Sequence, residues 1–199
     1  MVSAEAQPRL QRGEANIELV VAAARACFAE SGIAGTRMDD VARRARMSRP
    51  NLYSFVPGRT ALIQMVALAR LAELGEELRE RGRGLDGEVG EAIVDQIVAT
   101  IRLGRDDPEF TSLAEAIPRF SLNELLTSGS SPIHAVNAAI FGPLLARAMA
   151  EGRLRSDVPP DAMFEWLQNV VAQLAGRNDL ADDDQRLMIR RFVLPALLN

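Results

Sequence analysis

Thr36-Arg-Met-Asp-Asp-Val-Ala-Arg-Arg-Ala-Arg-Met-Ser-Arg-Pro-Asn-Leu-Tyr-Ser-Phe55 decides the fold of this 199-residue chain. Thr36 and Asp39 have the spacing of a capping box, in which a hydroxyl and a carboxylate three residues apart satisfy free amides at a helix start. The helix they open is predicted to run through Val41 and Ala42 to about Ala45. Arg46-Met47 forms a turn. Ser48 then caps a further helix, and Pro50 is tolerated in its first turn because amides there lack partners in any case. This second helix carries Asn51, Leu52 and Tyr53 and ends before Pro57-Gly58. Two short helices about a tight turn make a helix-turn-helix, whose second helix can enter the major groove of DNA. Arg49 suits guanine, Asn51 suits adenine, and Pro50 can touch a thymine methyl. Thr36, Ser48 and Tyr53 offer hydroxyls to phosphates, and Arg59 brings charge to the start of the next helix. Arg37 and Arg46 complete the candidate DNA-binding set.

On the N-terminal side, residues 1–13 are polar, with Pro8 and Gly13, and read as a flexible arm. From about Glu14 to Ser31, Ile17, Val20, Val21, Ala24, Cys27 and Phe28 recur at helical steps, and Gly32 stops the helix. On the C-terminal side, a long helix from about Gly58 to Arg81 turns Leu62, Met65, Val66, Ala69, Ala72 and Leu74 inward, and Gly82, Gly84 and Gly87 break it. The next helix, near Glu88 to Gly104, has Ile93, Ile97 and Ile101 in a row. Asp107-Pro108 starts a short helix that Pro118 interrupts. Ser131-Pro132 starts one reaching Glu151-Gly152, and Pro159-Pro160 precedes another to about Gly176. The acidic run from Asp182 to Asp184 opens the last, as the helix dipole favours. About nine helices and no strand predict an all-α chain. The domains are a helix-turn-helix unit at 14–60 and a helical ligand-binding and dimerisation unit at 61–199.

Apolar residues make up 48% of the chain, charged residues 25% and aromatic residues 5%, a globular mix that favours helices. A single cysteine, Cys27, excludes an internal disulfide and reads as a buried, inert thiol. A single histidine, His134, leaves too few soft ligands for a structural zinc, so neither metal nor cofactor is expected. No uninterrupted apolar run approaches the length of a membrane span and no export-like segment is visible, which predicts a cytoplasmic protein with no membrane association. Every basic residue is arginine. Residues 1–60 hold nine of them against six acids, net +3, whereas residues 61–199 hold fourteen against twenty-one, net −7. A basic head on an acidic body suits a chain that meets a polyanion at one end only. No nucleophile with a base, carboxylate pair or ligand cluster stands out, so an enzyme is not expected.

In residues 17–63, the series Ile17, Ala23, Ala24, Phe28, Gly32, Thr36, Asp40-Val41-Ala42, Ala45, Met47-Ser48, Leu52-Tyr53, Arg59 and Leu62 resembles the DNA-binding domain of the tetracycline-repressor (TetR) family of transcriptional regulators. The resemblance implies backbone contacts from Thr36, Ser48, Tyr53 and Arg59, and base contacts from Arg49, Pro50 and Asn51. Three positions depart from the family pattern. Arg46 stands where the turn usually has glycine, Phe55 where histidine is frequent, and Arg59 where lysine is usual. Gly152-Arg-Leu-Arg155, Asp157 and Pro160 resemble the entry to the family's dimerisation helices. The implied function is that of a homodimeric regulator, a repressor released from a palindromic double-stranded DNA operator by a small apolar or aromatic effector. The alternative is a helical dimeric partner-binding protein without DNA binding.

Candidates for the effector pocket are His134, Asn137 and Phe141 on one helix face, Trp166 and Asn169 on another, and Leu103, Phe110 and Phe120. Met163, Leu167, Val170, Val171 and Leu174, with Met188 and Phe192 of the last helix, form apolar stripes that suit either a core or a two-fold four-helix interface. The resemblance favours the interface.

Overall fold

The computed structural model describes residues 6–82, 87–128, 132–177 and 179–199, with side chains from residue 15 on. It is all-helical: eleven helical segments, the last two joined through a π-helical turn. They are α1 (Ala6–Gly35), α2 (Met38–Arg44), α3 (Arg49–Phe55), α4 (Arg59–Gly82), α5 (Val89–Asp106), α6 (Pro108–Ala116), α7 (Arg119–Thr127), α8 (Ile133–Ala150), α9 (Pro160–Ala175), α10 (Asp182–Met188) and α11 (Leu194–Leu197). Among the described residues, extended pairing is confined to one antiparallel bridge, Leu154 with Leu198. The chain divides into two compact units, Met1–Ala69 with Leu113–Pro118, and Arg70–Ser112 with Arg119–Asn199.

In the first unit α1 packs on α2 and α2 on α3. Gly32 breaks α1 at φ 71°, a left-handed value that glycine alone adopts without strain, so the helix proper ends at Ser31 as its position predicted. The N-terminal end differs from expectation. Residues 6–13, read as an arm, are helical, and Pro8 falls in the first turn, where no amide partner is lost. Val20, Val21, Ala24 and Cys27 are buried, but Ile17 is largely exposed, because the covered stripe begins a turn later. Val41, Ala42, Leu52, Val56, Leu62 and Val66 are among the other buried residues. Leu113 and Ile117 are buried as well.

The second unit is organised on α5, which packs against α8, α9 and α10. Glu88 caps it, accepting from the Glu91 amide at 3.0 Å. Ile93, Ile97 and Ile101 lie in one cluster with Phe141 and Leu144 of α8, Met163 and Leu167 of α9, and Ile189, Val193 and Leu197 at the C-terminus. Burying each large apolar side chain contributes about 2 kcal/mol, so this cluster is the dominant stabilising term. Along its flank α10 runs antiparallel to α5, stapled by Arg105–Asp182 at 3.0 Å, Arg186–Asp95 at 2.5 Å and Arg190–Glu91 at 2.6 Å. The Arg190 hydrogen bond holds the Glu91 carboxyl below its ordinary value. Asp107 caps α6 by accepting from the Phe110 amide at 2.7 Å and also binds Arg70, with Nη2 at 2.6 Å.

Two details correct the sequence reading and two others bear on it. Ala72 of α4 is exposed. Ser131 lies outside the described residues, and α8 starts after Pro132 with no side-chain cap. The stripe of the last helix is rotated by the π turn, where the Leu194 amide bonds the Ile189 carbonyl five residues back. Pro195 supplies no amide for the ordinary pattern there. The turn keeps Ile189 and Val193 inside and sends Phe192 out. Finally, α8 is by length and composition apolar enough to cross a membrane, yet Ile140, Phe141, Leu144 and Ala148 place it in the core of this unit.

Candidate nucleic-acid interface

The turn between α2 and α3 is closed entirely by backbone. The Met47 amide donates to the Ala42 carbonyl at 2.9 Å and the Arg46 amide to Arg43 at 3.2 Å. This crossed pair is a Schellman ending, which requires a left-handed residue after the helix cap. That residue is Arg46, at φ 55°, so the turn keeps its left-handed form without a glycine. Ser48 then opens α3 as predicted: its Oγ accepts from the Asn51 amide at 3.3 Å. Pro50 sits in the first turn. Leu52 points inward and is fully buried, which fixes the rotation of α3 and leaves Arg49, Pro50, Asn51 and Tyr53 exposed on the outer side. The Ser48 hydroxyl uses only its acceptor in the cap, so its proton remains available to a phosphate oxygen. Arg37 and Arg46 are also exposed. Arg37, Arg46, Ser48, Arg49, Pro50, Asn51 and Tyr53 are thus all exposed, the last five in or just before α3.

Two of the expected contact residues are engaged within the chain. Thr36 is only 4% exposed, and its hydroxyl donates to the Gly32 carbonyl at 2.9 Å. It closes the break after α1 and is withdrawn from any phosphate. The capping box fails for the same reason: the residue preceding α2 is Arg37, which makes no side-chain cap bond. Arg59 is likewise occupied. Its Nη1 donates to the Thr36 carbonyl at 2.6 Å and its Nη2 to the Ile33 carbonyl, so it ties the start of α4 to the connection between α1 and α2.

Asp39, freed from capping, lies beside Arg49, with Oδ1 3.3 Å from Nε and Oδ2 3.4 Å from Nη1. The Arg49 guanidinium carbon stands 5.6 Å from the centroid of the Tyr53 ring. Spacing along one helix could not have shown the Asp39 contact, because it depends on how α2 crosses α3. Arg44 bonds Glu30 of α1 at 2.6 Å, and Arg43 bonds Asp40 at 3.1 Å, so neither basic side chain of α2 stands alone. Burial pushes the Cys27 thiol above its ordinary value, in keeping with an inert role.

In the C-terminal unit the candidate pocket residues scatter. Phe120 is 81% exposed, Trp166 is 40% exposed, and Asn169 is turned outward with its amide bonded to the Glu165 carbonyl. Phe141 is a core residue, and Leu103 packs against the same core. Phe110 is half-buried and Asn137 buried. His134 is held in a defined setting: Nδ1 is 3.2 Å from Gln168 Oε1, and its ring stands edge-on to Phe164 at 4.8 Å. The Gln168 amide donates to the Leu126 carbonyl, so its oxygen accepts from the His134 Nδ1–H and the Nε2 side of the ring is left for another partner. Of the candidate interface residues, Met163, Leu167, Val171 and Leu174 are buried in their own unit's core, correcting the expectation. Periodicity shows that a face is covered, not what covers it. Val170 and Met188 are half-buried, while Phe192 is 69% exposed.

Residues 20–66 match the family model of the bacterial regulatory proteins of the tetR family. An uncharacterised HTH-type transcriptional regulator of Mycobacterium tuberculosis is 30% identical over 108 residues, 54% of each chain, and one from Mycobacterium bovis matches to the same extent. The chain thus spans about half the length of the curated relatives it matches. Across the whole fold it is similar to the transcriptional repressor QsdR of R. erythropolis, from the TetR family, with a TM-score of 0.68 at 18% identity over 92% of this chain and 95% of that one. It is also similar to RolR in complex with resorcinol, with a TM-score of 0.63 at 18% identity over 94% and 89%. A TetR-family regulator from Pectobacterium atrosepticum gives a TM-score of 0.63 at 21% identity over 94% and 96%.

Proposed function

We propose that this chain, which carries a tetR-family DNA-binding segment at residues 20–66, is a sequence-specific transcriptional regulator. The observation that carries the reading is the outer face of α3, where Arg49, Pro50, Asn51 and Tyr53 stand exposed on a helix rotated by buried Leu52. A helix presented this way fits the major groove, with Arg49 donating to guanine O6 and N7 and Asn51 paired to adenine. Ser48, Arg37 and Arg46 would contact phosphates and set the register.

The protein acts in this reading as a homodimer on a palindromic operator, its two α3 helices about one DNA turn or a multiple apart. The exposed apolar groups of the last helices, Trp166, Leu187 and Phe192, supply the self-association surface. An apolar or aromatic effector bound in the C-terminal unit, near His134 and Asn137, releases the operator by favouring a dimer whose α3 spacing no longer fits. RolR, similar in fold, binds the small aromatic diol resorcinol, and the His134 ring suits a hydroxyl on a ligand of that kind.

The test is fluorescence anisotropy with duplex DNA from upstream of the protein's own gene, against a scrambled duplex at near-physiological salt. Saturable binding at least ~1000-fold tighter to the native duplex supports a specific regulator. Equal, weak and salt-sensitive binding to both, followed by no enrichment in a selection of genomic fragments, would sink the reading and favour a partner-binding protein.

A further inference from the structure

Arg49 is the first residue of α3, and three features set its geometry before any DNA arrives. Ser48 caps the backbone beneath it and Pro50 follows it with a fixed φ. The Tyr53 ring lies under the guanidinium at 5.6 Å. The Asp39 carboxylate, from the first turn of α2, flanks it at 3.3 Å and 3.4 Å. Both partners remain more than half exposed, 63% for Arg49 and 54% for Asp39, so the guanidinium is steadied yet still open to a ligand on its outer side.

An acid at this place is unexpected on a surface meant for phosphates. Like charge beside a polyanion weakens every complex, specific or not. It also changes what Arg49 can do. An unpaired arginine is drawn to the nearest phosphate regardless of sequence, and its flexible side chain must be ordered when it docks. Paired with Asp39, Arg49 loses much of its net pull on the backbone and keeps its directional N–H donors. Those donors match guanine O6 and N7 bidentately when the guanidinium is held in the groove. A repulsive element that costs affinity everywhere but costs less at the right base is a source of specificity.

We propose that Asp39 is a specificity-determining residue: it orients Arg49 toward a guanine and offsets its attraction to phosphate. The inference rests on the reading of α3 as the base-reading helix. Asp39 is a positioning residue and touches no base itself.

The test begins with selection of bound genomic fragments by the wild-type protein, and Arg49→Ala identifies the base pair at which discrimination is lost. Wild type and Asp39→Asn are then titrated with the selected operator, with operators changed at that base pair, and with a scrambled duplex. Asp39→Asn is expected to bind the scrambled duplex about 3-fold tighter, with a salt slope steeper by about one, because one more positive charge faces the backbone. Discrimination at the Arg49 base pair is expected to fall by about 5- to 10-fold, within the range a bidentate contact supplies. Asp39→Glu, which restores the charge, recovers most of that discrimination. Discrimination kept within about 2-fold in Asp39→Asn overturns the proposal, and so does an equal loss on all duplexes, the mark of a purely structural role. If wild type enriches no sequence, the regulator reading itself fails and this inference falls with it. Thermal melting of both variants separates a folding defect from either result.

Discussion

The helix-turn-helix segment and the last two long helices use the same kind of secondary structure under different constraints. Around α2 and α3 the chain closes on itself within a few residues: Met47 to Ala42, Asn51 to the Ser48 hydroxyl, Thr36 to Gly32. Around α9 and α10 positions are set by partners far away in sequence, with Arg186 on Asp95, Arg190 on Glu91, and Gln168 on the Leu126 carbonyl. Local closure leaves the outer face of α3 free of structural duty, so Arg49 to Tyr53 are available to a ligand. Distant pairing uses up the faces of α9 and α10, and what stays outside is a few large side chains such as Trp166, Leu187 and Phe192.

The largest effect that could break this comparison is expected at Leu167. It is fully buried at the centre of the C-terminal core. Leu167→Ala should cost about 2–5 kcal/mol, seen as a fall in melting temperature that does not depend on protein concentration. Phe192→Ala, on the exposed side of the same helical pair, should leave that melting temperature nearly unchanged and shift sedimentation equilibrium toward the monomer. If Leu167→Ala altered only the association state, the stripe would belong to the interface after all.

Gln185 offers the next test. It is fully buried on α10, and among the described residues neither its amide nitrogen nor its oxygen has a hydrogen-bond partner. A buried amide left unpaired costs about 1–3 kcal/mol, so Gln185→Met should stabilise the protein by an amount in that range, read as a higher urea midpoint at unchanged slope. A lower midpoint would show that the amide has a partner in solution, and that this face too has a duty beyond packing.

Arg59 tests the N-terminal side. Since its guanidinium is held by the Thr36 and Ile33 carbonyls, Arg59→Ala should destabilise the unit by on the order of 1 kcal/mol. Binding to all duplexes should weaken alike while the salt slope holds. Arg37→Ala, which removes an exposed charge, should instead lower the slope by about one. A slope that falls with Arg59→Ala would restore the phosphate contact that the family resemblance implied.

How legible each feature was in the sequence follows the reach of the bond that makes it. Gly32, Ser48, Asp107-Pro108 and Pro159-Pro160 act on neighbours no more than four residues away, and the helix boundaries they predict are those observed. Asp39 beside Arg49 and Arg59 across to Ile33 depend on angles between helices, which no spacing encodes. Thr36 and Asp39 satisfied the capping pattern, yet the carbonyl freed by the Gly32 break claimed the Thr36 hydroxyl first. In the C-terminal unit the apolar periods of α5, α8 and α9 were visible, but a period is the same whether its cover is α5 or a second protomer. The choice between core and interface therefore lay outside the sequence.

The smallest expected effect concerns Arg46, and it sharpens the comparison most, because there local closure and outward function meet in one residue. A left-handed arginine costs about 1 kcal/mol relative to the right-handed region. Glycine removes that strain but enlarges the freedom of the unfolded chain, which costs about 0.4–1 kcal/mol. Arg46→Gly should thus gain at most about 0.6 kcal/mol, the largest difference between those two figures. Arg46→Ala keeps the strain and should give no gain. If the exposed Arg46 guanidinium meets a phosphate, both variants should weaken binding to every duplex alike and lower the salt slope by about one. Stability rising with glycine while affinity falls with either substitution would show a strained turn kept for its charge. Affinity unchanged in both would remove Arg46 from the interface and leave the outer face to Arg37, Ser48 and the groups of α3.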